Sequence, residues 1–229
     1  MPESPAVAGC CDPRGCDRFF GRRFARRMAR AYRKRGLDST AQRMVGFLER
    51  EGIEGATVLE IGGGVGEIHL ELLRRGAERA VNLELSAAYD ADAARLAGEA
   101  GVQDRVERRL HDIAVDPETI APADVVVLHR VVCCYPDYER LLAAAAAHAR
   151  RALVFSHPRR NLISRLIVGA ENLGFRVLRR EFRVFAHPPD AMLAVLREQG
   201  MVARFAERGF AWEARGMARQ PSAAAPSSP

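Results

Sequence analysis

The sequence predicts one doubly wound α/β domain, a Rossmann-like seven-stranded sheet that ends in a C-terminal antiparallel hairpin. Short β-branched runs alternate with segments of helical periodicity, which is typical of parallel α/β sheets. A glycine-rich turn directly follows the first of these runs. Two final runs, residues 202–208 and 210–217, are separated only by Gly209, and so short a link requires an antiparallel pair. The 229 residues suffice for one full core.

The elements follow in a regular order. A basic helix covers residues 18–35, and a second begins at Ser39, where Ser39 and Gln42 form a capping box. Strands are predicted at 57–61, 79–83, 106–110, 124–128 and 152–156, and helices at 67–75, 86–100, 137–151 and 188–199. The chain thus divides into an N-terminal helical segment (17–52) and the α/β domain (53–219), with a helical insert at about 158–187. Residues 1–16 and 220–229, rich in small residues and proline, are predicted to be disordered.

Composition indicates a globular protein of the cytoplasm. No apolar run approaches the roughly 20 residues that cross a bilayer, and no secretory signal is recognisable. Five cysteines, an odd number with two adjacent pairs, form a poor disulfide framework. Cys10, Cys11 and Cys16 resemble part of a metal site, but reduced thiols in a mobile terminus are favoured. No metal site is therefore predicted.

The positive charge is concentrated in one segment. The segment from Arg18 to Arg35 contains nine basic residues and no acid. Since the net charge of the whole chain is +6, the rest of the chain has a net charge of 6 − 9 = −3. Phe20, Phe24 and Met28 recur at helical spacing, which predicts an amphipathic helix. Such a helix can contact an anionic membrane, grip phosphates or cover an active site; a solvated arginine face is an equal alternative. The net acidic remainder argues against DNA as a partner, and the oligomeric state is left open.

The glycine turn carries the strongest functional signal. Gly62, Gly64 and Gly66 follow the first strand, where a doubly wound sheet binds its ligand. Glu60 lies just before them, and its carboxylate would repel a pyrophosphate but attract a cationic ligand. Glu84 ends the second strand, where it can accept both hydroxyls of a ribose. These residues favour S-adenosylmethionine over NAD.

Several motifs resemble those of class I S-adenosylmethionine-dependent methyltransferases. LEIGGGVG is similar to their first motif, with Gly63 as a departure that is expected to change little. Glu84, followed by Leu85, matches their ribose-binding acid. Asp112 and Ile113 in HDI match their adenine-contacting motif, and residues 123–137 resemble the fourth strand with its loop. The resemblance implies S-adenosylmethionine as cofactor, with His129 near its amino group.

A looser resemblance suggests a substrate. The segments HPRRNLISRL and VFAHPPDAML, together with the basic N-terminal helix, are similar in layout to magnesium-protoporphyrin O-methyltransferases. That likeness implies methyl transfer to a carboxylate of a tetrapyrrole-like acid. More generally, the motifs imply a small or medium-sized acceptor molecule.

Candidate catalytic residues follow the fourth and fifth strands, where loops face the methyl group. They are His129, Tyr135 and His157, with His187 from the insert as a further candidate. Each also has another interpretation. His129 can bond the backbone or the amino group of the cofactor, and Tyr135 can be a pocket wall. His157 and His187 each precede a proline, which fits a turn residue. An alcohol, phenol or carbon acid needs a base, whereas a carboxylate acceptor does not.

Other residues and functions remain open. Arg159, Arg160 and Arg165 can hold an anionic substrate, and Cys133 and Cys134 are interpreted as small pocket or core residues. Three alternative functions are an NAD(P)-dependent oxidoreductase, an RNA-directed methyltransferase that uses the basic helix, and a non-catalytic protein that binds S-adenosylmethionine.

Overall fold

The computed structural model describes residues 20–159, 169–170, 172–174, 176–177 and 183–220. Cys10, Cys11, Cys16, Arg160 and Arg165 lie outside the described residues, as do the two terminal segments predicted to be disordered, apart from Gln220. The helices with given bounds are α1 (Arg22–Arg35), α2 (Ser39–Arg50), α3 (Glu67–Arg74), α4 (Asp90–Glu99), α5 (Tyr138–His148) and α6 (Pro189–Glu198). The strands are β1 (Thr57–Ile61), β2 (Arg79–Glu84), β3 (Val106–Leu110), β4 (Ala123–Leu128), β5 (Ala149–Pro158), β6 (Met201–Arg208) and β7 (Trp212–Arg219).

The seven strands form one sheet in the order β3-β2-β1-β4-β5-β7-β6. The first five are parallel, and β7 runs antiparallel to both β5 and β6. The predicted doubly wound sheet with a terminal antiparallel hairpin is confirmed. Strands β1 to β3 extend the sheet to one side of β1, whereas β4 and β5 extend it to the other side. Folds of this kind bind ligands at the point between β1 and β4 where the strand order reverses.

Alternation along the central strands gives the sheet two buried faces. Val58, Val125 and Val127 point to one face, where they pack with apolar residues of α1 to α4. Leu59 and Val126 point to the other face and pack with α5 and α6. Because side chains alternate along a strand, near-continuous apolar runs supply both cores at once. The basic helix α1 shares the first of these cores through Ala25, Ala29 and Tyr32.

The predicted capping box of α2 is wrong. Asp38 is the N-cap, and its Oδ1 accepts from the backbone N–H groups of Thr40 at 2.8 Å and Ala41 at 2.9 Å. The side chain of Gln42 instead donates to the carbonyl of Leu37 at 2.8 Å. An aspartate one position earlier satisfies the free N–H groups as well as Ser39 would.

Other boundaries also differ from the prediction. The alanine-rich helix ends at His148, because residues 149–151 belong to β5 and Ala149 pairs with Ala123 of β4. The link between the last two strands is residues 209–211, closed by a hydrogen bond from the N–H of Gly209 to the carbonyl of Trp212. A 3₁₀ turn at Ala87–Tyr89 precedes α4. No helix in the described part of the chain is long and apolar enough to span a bilayer.

Candidate active site

A cavity of about 230 Å³ lies at the carboxyl ends of β1, β2 and β4. Its walls come from the glycine turn, the end of β2 and the loops after β3 and β4. Phe20, Phe24 and Met28 line it from the side of α1. One face of the basic helix is therefore part of the cavity wall.

Most glycines of the turn could not carry a side chain without a clash. A Cβ on Gly63 would lie 2.7 Å from Cδ of Glu60 and 2.8 Å from Oδ1 of Asn82, both of which are buried. Gly66 has a φ of +89° at the start of α3, and a Cβ there would overlap the imidazole of His69. Gly63, the departure from the family motif that was expected to change little, is thus a packing requirement. Gly62 and Gly64 line the cavity, whereas Gly66 does not.

A buried acid–imidazole pair supports the turn from below. Glu60 and His69 are 1% and 2% exposed, and Nδ1 of His69 lies 2.6 Å from Oε2 of Glu60. The same oxygen accepts the backbone N–H of His69 at 3.2 Å. Asn82 is fully buried beside them, and no described group hydrogen-bonds to its side-chain amide. Glu60 lines the cavity with its carboxylate already oriented.

Glu67, at the start of α3, also lines the cavity. Burial, and then the negative charges of Glu60 and Asp38, raise the pKa of Glu67 to about 7. Sequence reasoning missed this residue, because an acid in the first turn is ordinarily explained by the helix dipole alone.

Glu84 faces the cavity from the end of β2. Its Oε2 accepts the N–H of Gly64 at 2.8 Å, and its Oε1 accepts the N–H of Leu85 at 2.9 Å. Burial raises the pKa of Glu84, although these bonds and the nearby Arg108 favour its charged form. Glu84 therefore fixes the glycine turn as well as lining the cavity. Leu85 lines the cavity beside it.

Asp112 and Ile113 line the cavity from the loop after β3. The hydroxyl of Tyr135 lies 3.1 Å and 3.0 Å from the two carboxylate oxygens of Asp112, and the N–H of Ala114 donates to Oδ1 at 3.0 Å. Tyr135 also lines the cavity, with its hydroxyl proton directed to Asp112.

His129 lines the cavity at the end of β4, and both of its ring nitrogens face protein groups. Its Nδ1 lies 3.0 Å from Oγ of Ser156, and its Nε2 lies 3.4 Å from Oδ2 of Asp38. Because Oγ of Ser156 accepts the N–H of Arg130 at 2.9 Å, its own hydroxyl can donate to Nδ1, leaving the ring proton on Nε2 towards Asp38. Burial alone would raise the pKa of Asp38, but the contact with His129, the N–H of Ala41 and the charge of Arg130 hold it well below its usual range.

Arg130 lines the cavity in a strained conformation, with a φ of 60°. Its guanidinium donates to Oδ2 of Asp38 at 2.8 Å and lies over the indole of Trp212, 4.9 Å from the ring centroid. Two neighbours therefore orient this cation at the cavity wall, and sequence reasoning did not identify it.

Three further residues named from the sequence lie away from the cavity lining. His157 is buried, contacts the carbonyl of Pro158 through Nδ1 at 3.0 Å, and has its pKa lowered by burial. His187 contacts the carbonyl of Tyr135 at 2.9 Å and packs against the ring of Tyr138, so it supports the loop. The backbone N–H of Arg159 donates to the carbonyl of Ala211.

The two remaining cysteines form no disulfide. Cys133 is buried and Cys134 lines the cavity. Within the described ranges, no group of three His, Cys, Asp or Glu side chains is placed to hold a metal ion.

The family model that matches the chain is a methyltransferase domain, and it covers residues 24–214. The chain belongs to this methyltransferase family. The prediction of a class I S-adenosylmethionine-dependent methyltransferase is thereby confirmed, and the oxidoreductase alternative is set aside. A comparison with curated protein sequences finds no match.

Solved methyltransferases share the fold. Magnesium protoporphyrin IX methyltransferase from Synechocystis PCC 6803, with bound SAH, superimposes with a TM-score of 0.72 at 18% identity, over 91% of this chain and 100% of that chain. A 1,6-didemethyltoxoflavin-N1-methyltransferase from Burkholderia thailandensis gives 0.66 at 15% identity, over 96% and 94%. An O-methyltransferase family 2 protein from Planctomyces limnophilus, in complex with apigenin, gives 0.65 at 20% identity, over 87% and 62%.

The cavity of this methyltransferase fits S-adenosylmethionine. Four carboxylates, those of Glu60, Glu67, Glu84 and Asp112, line it. So many acids in one buried space favour a cationic ligand and disfavour a pyrophosphate. The glycine turn admits the close approach of a ligand, because a Cβ at its positions would strain the turn or meet its neighbours.

Proposed function

We propose that this S-adenosylmethionine-dependent methyltransferase methylates a carboxylate oxygen of a small or medium-sized acid, with tetrapyrrole acids as the first candidates. One observation carries the proposal: the candidate bases are occupied or remote. Nδ1 of His129 contacts Oγ of Ser156, and its Nε2, which is buried without a hydrogen bond, lies 3.4 Å from Oδ2 of Asp38. The hydroxyl of Tyr135 is directed to Asp112, and His157 lies outside the cavity lining. A carboxylate acceptor requires no base.

Arg130 supports an anionic acceptor. Its Nη2 donates to Asp38, while the other N–H groups of the guanidinium meet no described acceptor. Guanidinium groups bind carboxylates with well-defined geometry. The match to magnesium protoporphyrin IX methyltransferase over that protein's full length makes tetrapyrrole acids the class to test first.

The cavity residues divide between the two ligands in this proposal. Glu84 and Leu85 would hold the ribose, Asp112 and Ile113 the adenine, and Glu60 with Glu67 the cationic methionine end. When bound, S-adenosylmethionine supplies an electrophilic methyl group. The task of the chain is then to align the acceptor and exclude water, and Phe20, Phe24 and Met28 supply the apolar cover.

A second candidate function is methylation of a hydroxyl or N–H group. The pKa of Glu67, raised to about 7 by burial, suits a general base at neutral pH. In that case Glu67, rather than His129 or Tyr135, would take the acceptor's proton.

The test measures adenosylhomocysteine formation with protoporphyrin, its magnesium complex, an aromatic carboxylic acid, a phenol and an N-heterocycle. We expect turnover of acids only, a product that releases methanol in mild alkali, and little change in kcat above neutral pH. Arg130→Gln should raise KM about tenfold or more, as loss of a charged hydrogen bond does. Arg79→Gln is the matched control, because Arg79 lies at the amino end of β2, far from the cavity.

The opposite pattern would replace the first proposal with the second. That pattern is turnover of the phenol or heterocycle alone, with a rate that rises through about pH 7 and is lost in Glu67→Gln. Glu67→Gln with unchanged turnover of the acids would in turn exclude Glu67 as a base.

A further inference from the structure

The exposed apolar side chains are concentrated at the carboxyl edge of the sheet, which is the end where the parallel strands terminate. Large apolar residues with substantial exposure in the described ranges are Phe24, Leu110, Val115, Leu173, Val177, Val202 and Phe210. All but Val202 belong to segments at the carboxyl ends of the parallel strands or to the helix that covers them. Solvated apolar residues scattered at random would not share one edge.

The topology establishes this placement. Leu110 ends β3, and Val115 lies in the loop that follows. The segment that carries Leu173 and Val177 is tied to the loop after β4. Asn172 hydrogen-bonds to both backbone groups of Val184 at 2.8 and 2.9 Å, and the N–H of Phe185 donates to the carbonyl of Cys133 in that loop. Phe210, fully exposed, lies in the turn between β6 and β7, and this turn reaches the end of β5 because Trp212 pairs with Pro158.

Free cations border the same edge. The arginines of the first turns of α1 are exposed and make no ion pair with any described residue; they are Arg22, Arg23, Arg26, Arg27 and Arg30. Phe24 and Met28, on the same turns, line the cavity, so these cations lie on the helix that forms part of its wall. Further along α1, Arg33 is paired with Glu99 at 2.7 Å.

We propose that this mouth surface, formed by Arg22–Arg30 of α1 with the six exposed apolar side chains of the carboxyl edge, docks on an anionic lipid bilayer. Clustered arginines attract anionic headgroups, and exposed apolar side chains enter the interface. The cavity then opens towards the lipid, from which an acid with an apolar body can enter directly. Asp116 and Glu118 follow Val115 and are exposed, so the attraction must come from α1.

A bilayer fits these residues better than RNA does. Single-stranded RNA is held by aromatic side chains on which bases stack. Of the six apolar residues, Leu110, Val115, Leu173 and Val177 are aliphatic and offer no such platform. Docking also requires no membrane-spanning helix.

The experiment uses the full chain with vesicles of phosphatidylcholine, either pure or with about one third phosphatidylglycerol. Binding is measured by flotation, and depth by quenching of Trp212 with brominated lipid. Trp212 is the only tryptophan in the chain and directly follows the β6–β7 turn. We expect binding to the anionic vesicles only, weakened by salt, with quenching of Trp212.

Charge variants test the contribution of α1. Each cation near an anionic surface contributes about fivefold to partitioning, so replacing Arg22, Arg23, Arg26 and Arg27 with Gln should lower it more than tenfold. The matched control replaces the same number of exposed arginines away from the edge, namely Arg79, Arg150, Arg197 and Arg204. An unchanged thermal transition and unchanged adenosylhomocysteine binding establish that both variants are folded.

Apolar variants test insertion. The double substitution Leu110→Ser and Phe210→Ser should reduce quenching and high-salt binding severalfold, whereas Val202→Ser, on β6 away from the edge, should change neither. Equal binding to neutral and anionic vesicles, or equal loss in the two arginine sets, would overturn the proposal. So would binding of a single-stranded RNA with no binding to vesicles, which would assign α1 to RNA.

Discussion

His69 lies with Nδ1 2.6 Å from the carboxylate of Glu60, directly beneath the glycine turn. The two residues are nine positions apart, and α3 brings them together by returning over the end of β1. Gly66 makes the contact possible, since a Cβ at that position would occupy the place of the imidazole. The acid of the first motif is therefore held by a residue on the helix that the motif begins.

Loss of this imidazole should destabilise the chain. In His69→Ala, Glu60 stays buried without its partner, and we expect a loss of about 3 kcal/mol in the free energy of unfolding. Chemical denaturation measures it. His69→Gln, which keeps a donor near the carboxylate, should lose less; equal midpoints for wild type and His69→Ala would contradict the pairing.

Glu67 should make stability depend on pH near neutrality. The folded chain holds this proton up to about pH 7, whereas the unfolded chain loses it near 4.5. The folded state therefore binds more protons between these values, so stability falls as pH rises through this window. Glu67→Gln should abolish the fall and add on the order of 2 kcal/mol at pH 8, after allowance for partial exposure. If the free energy of unfolding changed equally between pH 5 and pH 8 in wild type and in Glu67→Gln, Glu67 would not be the cause of the pH dependence.

Cofactor binding should displace the proton of Glu67. A cationic ligand in the same cavity favours the carboxylate form. Titration calorimetry at pH 6.5 in two buffers of different ionisation enthalpy should show proton release with S-adenosylmethionine. The release should vanish in Glu67→Gln, and its persistence there would point to another group.

Glu84→Ala should weaken binding of S-adenosylmethionine and of adenosylhomocysteine alike, by roughly 1–3 kcal/mol. The variant loses an acceptor for the ligand and also the bonds to Gly64 and Leu85 that fix the turn. Glu84→Gln retains one oxygen, so its affinity should lie between those of wild type and Glu84→Ala. Wild-type affinity in Glu84→Ala would show that this carboxylate does not hold the ribose.

Gly63→Ala tests the packing of the turn. The added Cβ would meet buried Glu60 and Asn82, and overpacking of this kind costs about 1–3 kcal/mol. Gly98→Ala is the matched control, because its Cβ would meet nothing within 4 Å in the helix α4; it should be neutral or slightly stabilising. The measurement is the thermal unfolding midpoint of both variants. Equal midpoints for Gly63→Ala and Gly98→Ala would contradict the clash.

The sequence predicted the sheet well because burial and periodicity determine strands locally. β1 and β3 match their predicted bounds, and the motif residues from Glu60 to Tyr135 that were assigned to the site line one cavity, with the exception of Gly66. Errors arose where a tertiary contact overrides a local signal. Ala149 begins β5 because β4 pairs with it, although an alanine run favours continued helix.

The missed site residues share a different cause. His69, Asn82 and Glu67 carry no motif of their own, and their importance comes from burial against Glu60. His157 was placed in the site because it follows β5, yet β5 extends through Pro158 and pairs with β7, so this residue is a strand residue and not a loop residue. Such effects depend on neighbours that are distant in sequence.

The sheet is completed out of chain order, since β6 lies at the edge and β7, the final strand, fills the gap between β6 and β5. During synthesis one side of the β5 backbone therefore stays unpaired until β7, which ends at Arg219, has emerged. Truncation before Trp212 would leave that side open along residues 152–158, a template for intermolecular strand pairing. We therefore expect the last strand to govern solubility of the nascent protein, although none of its side chains lines the cavity.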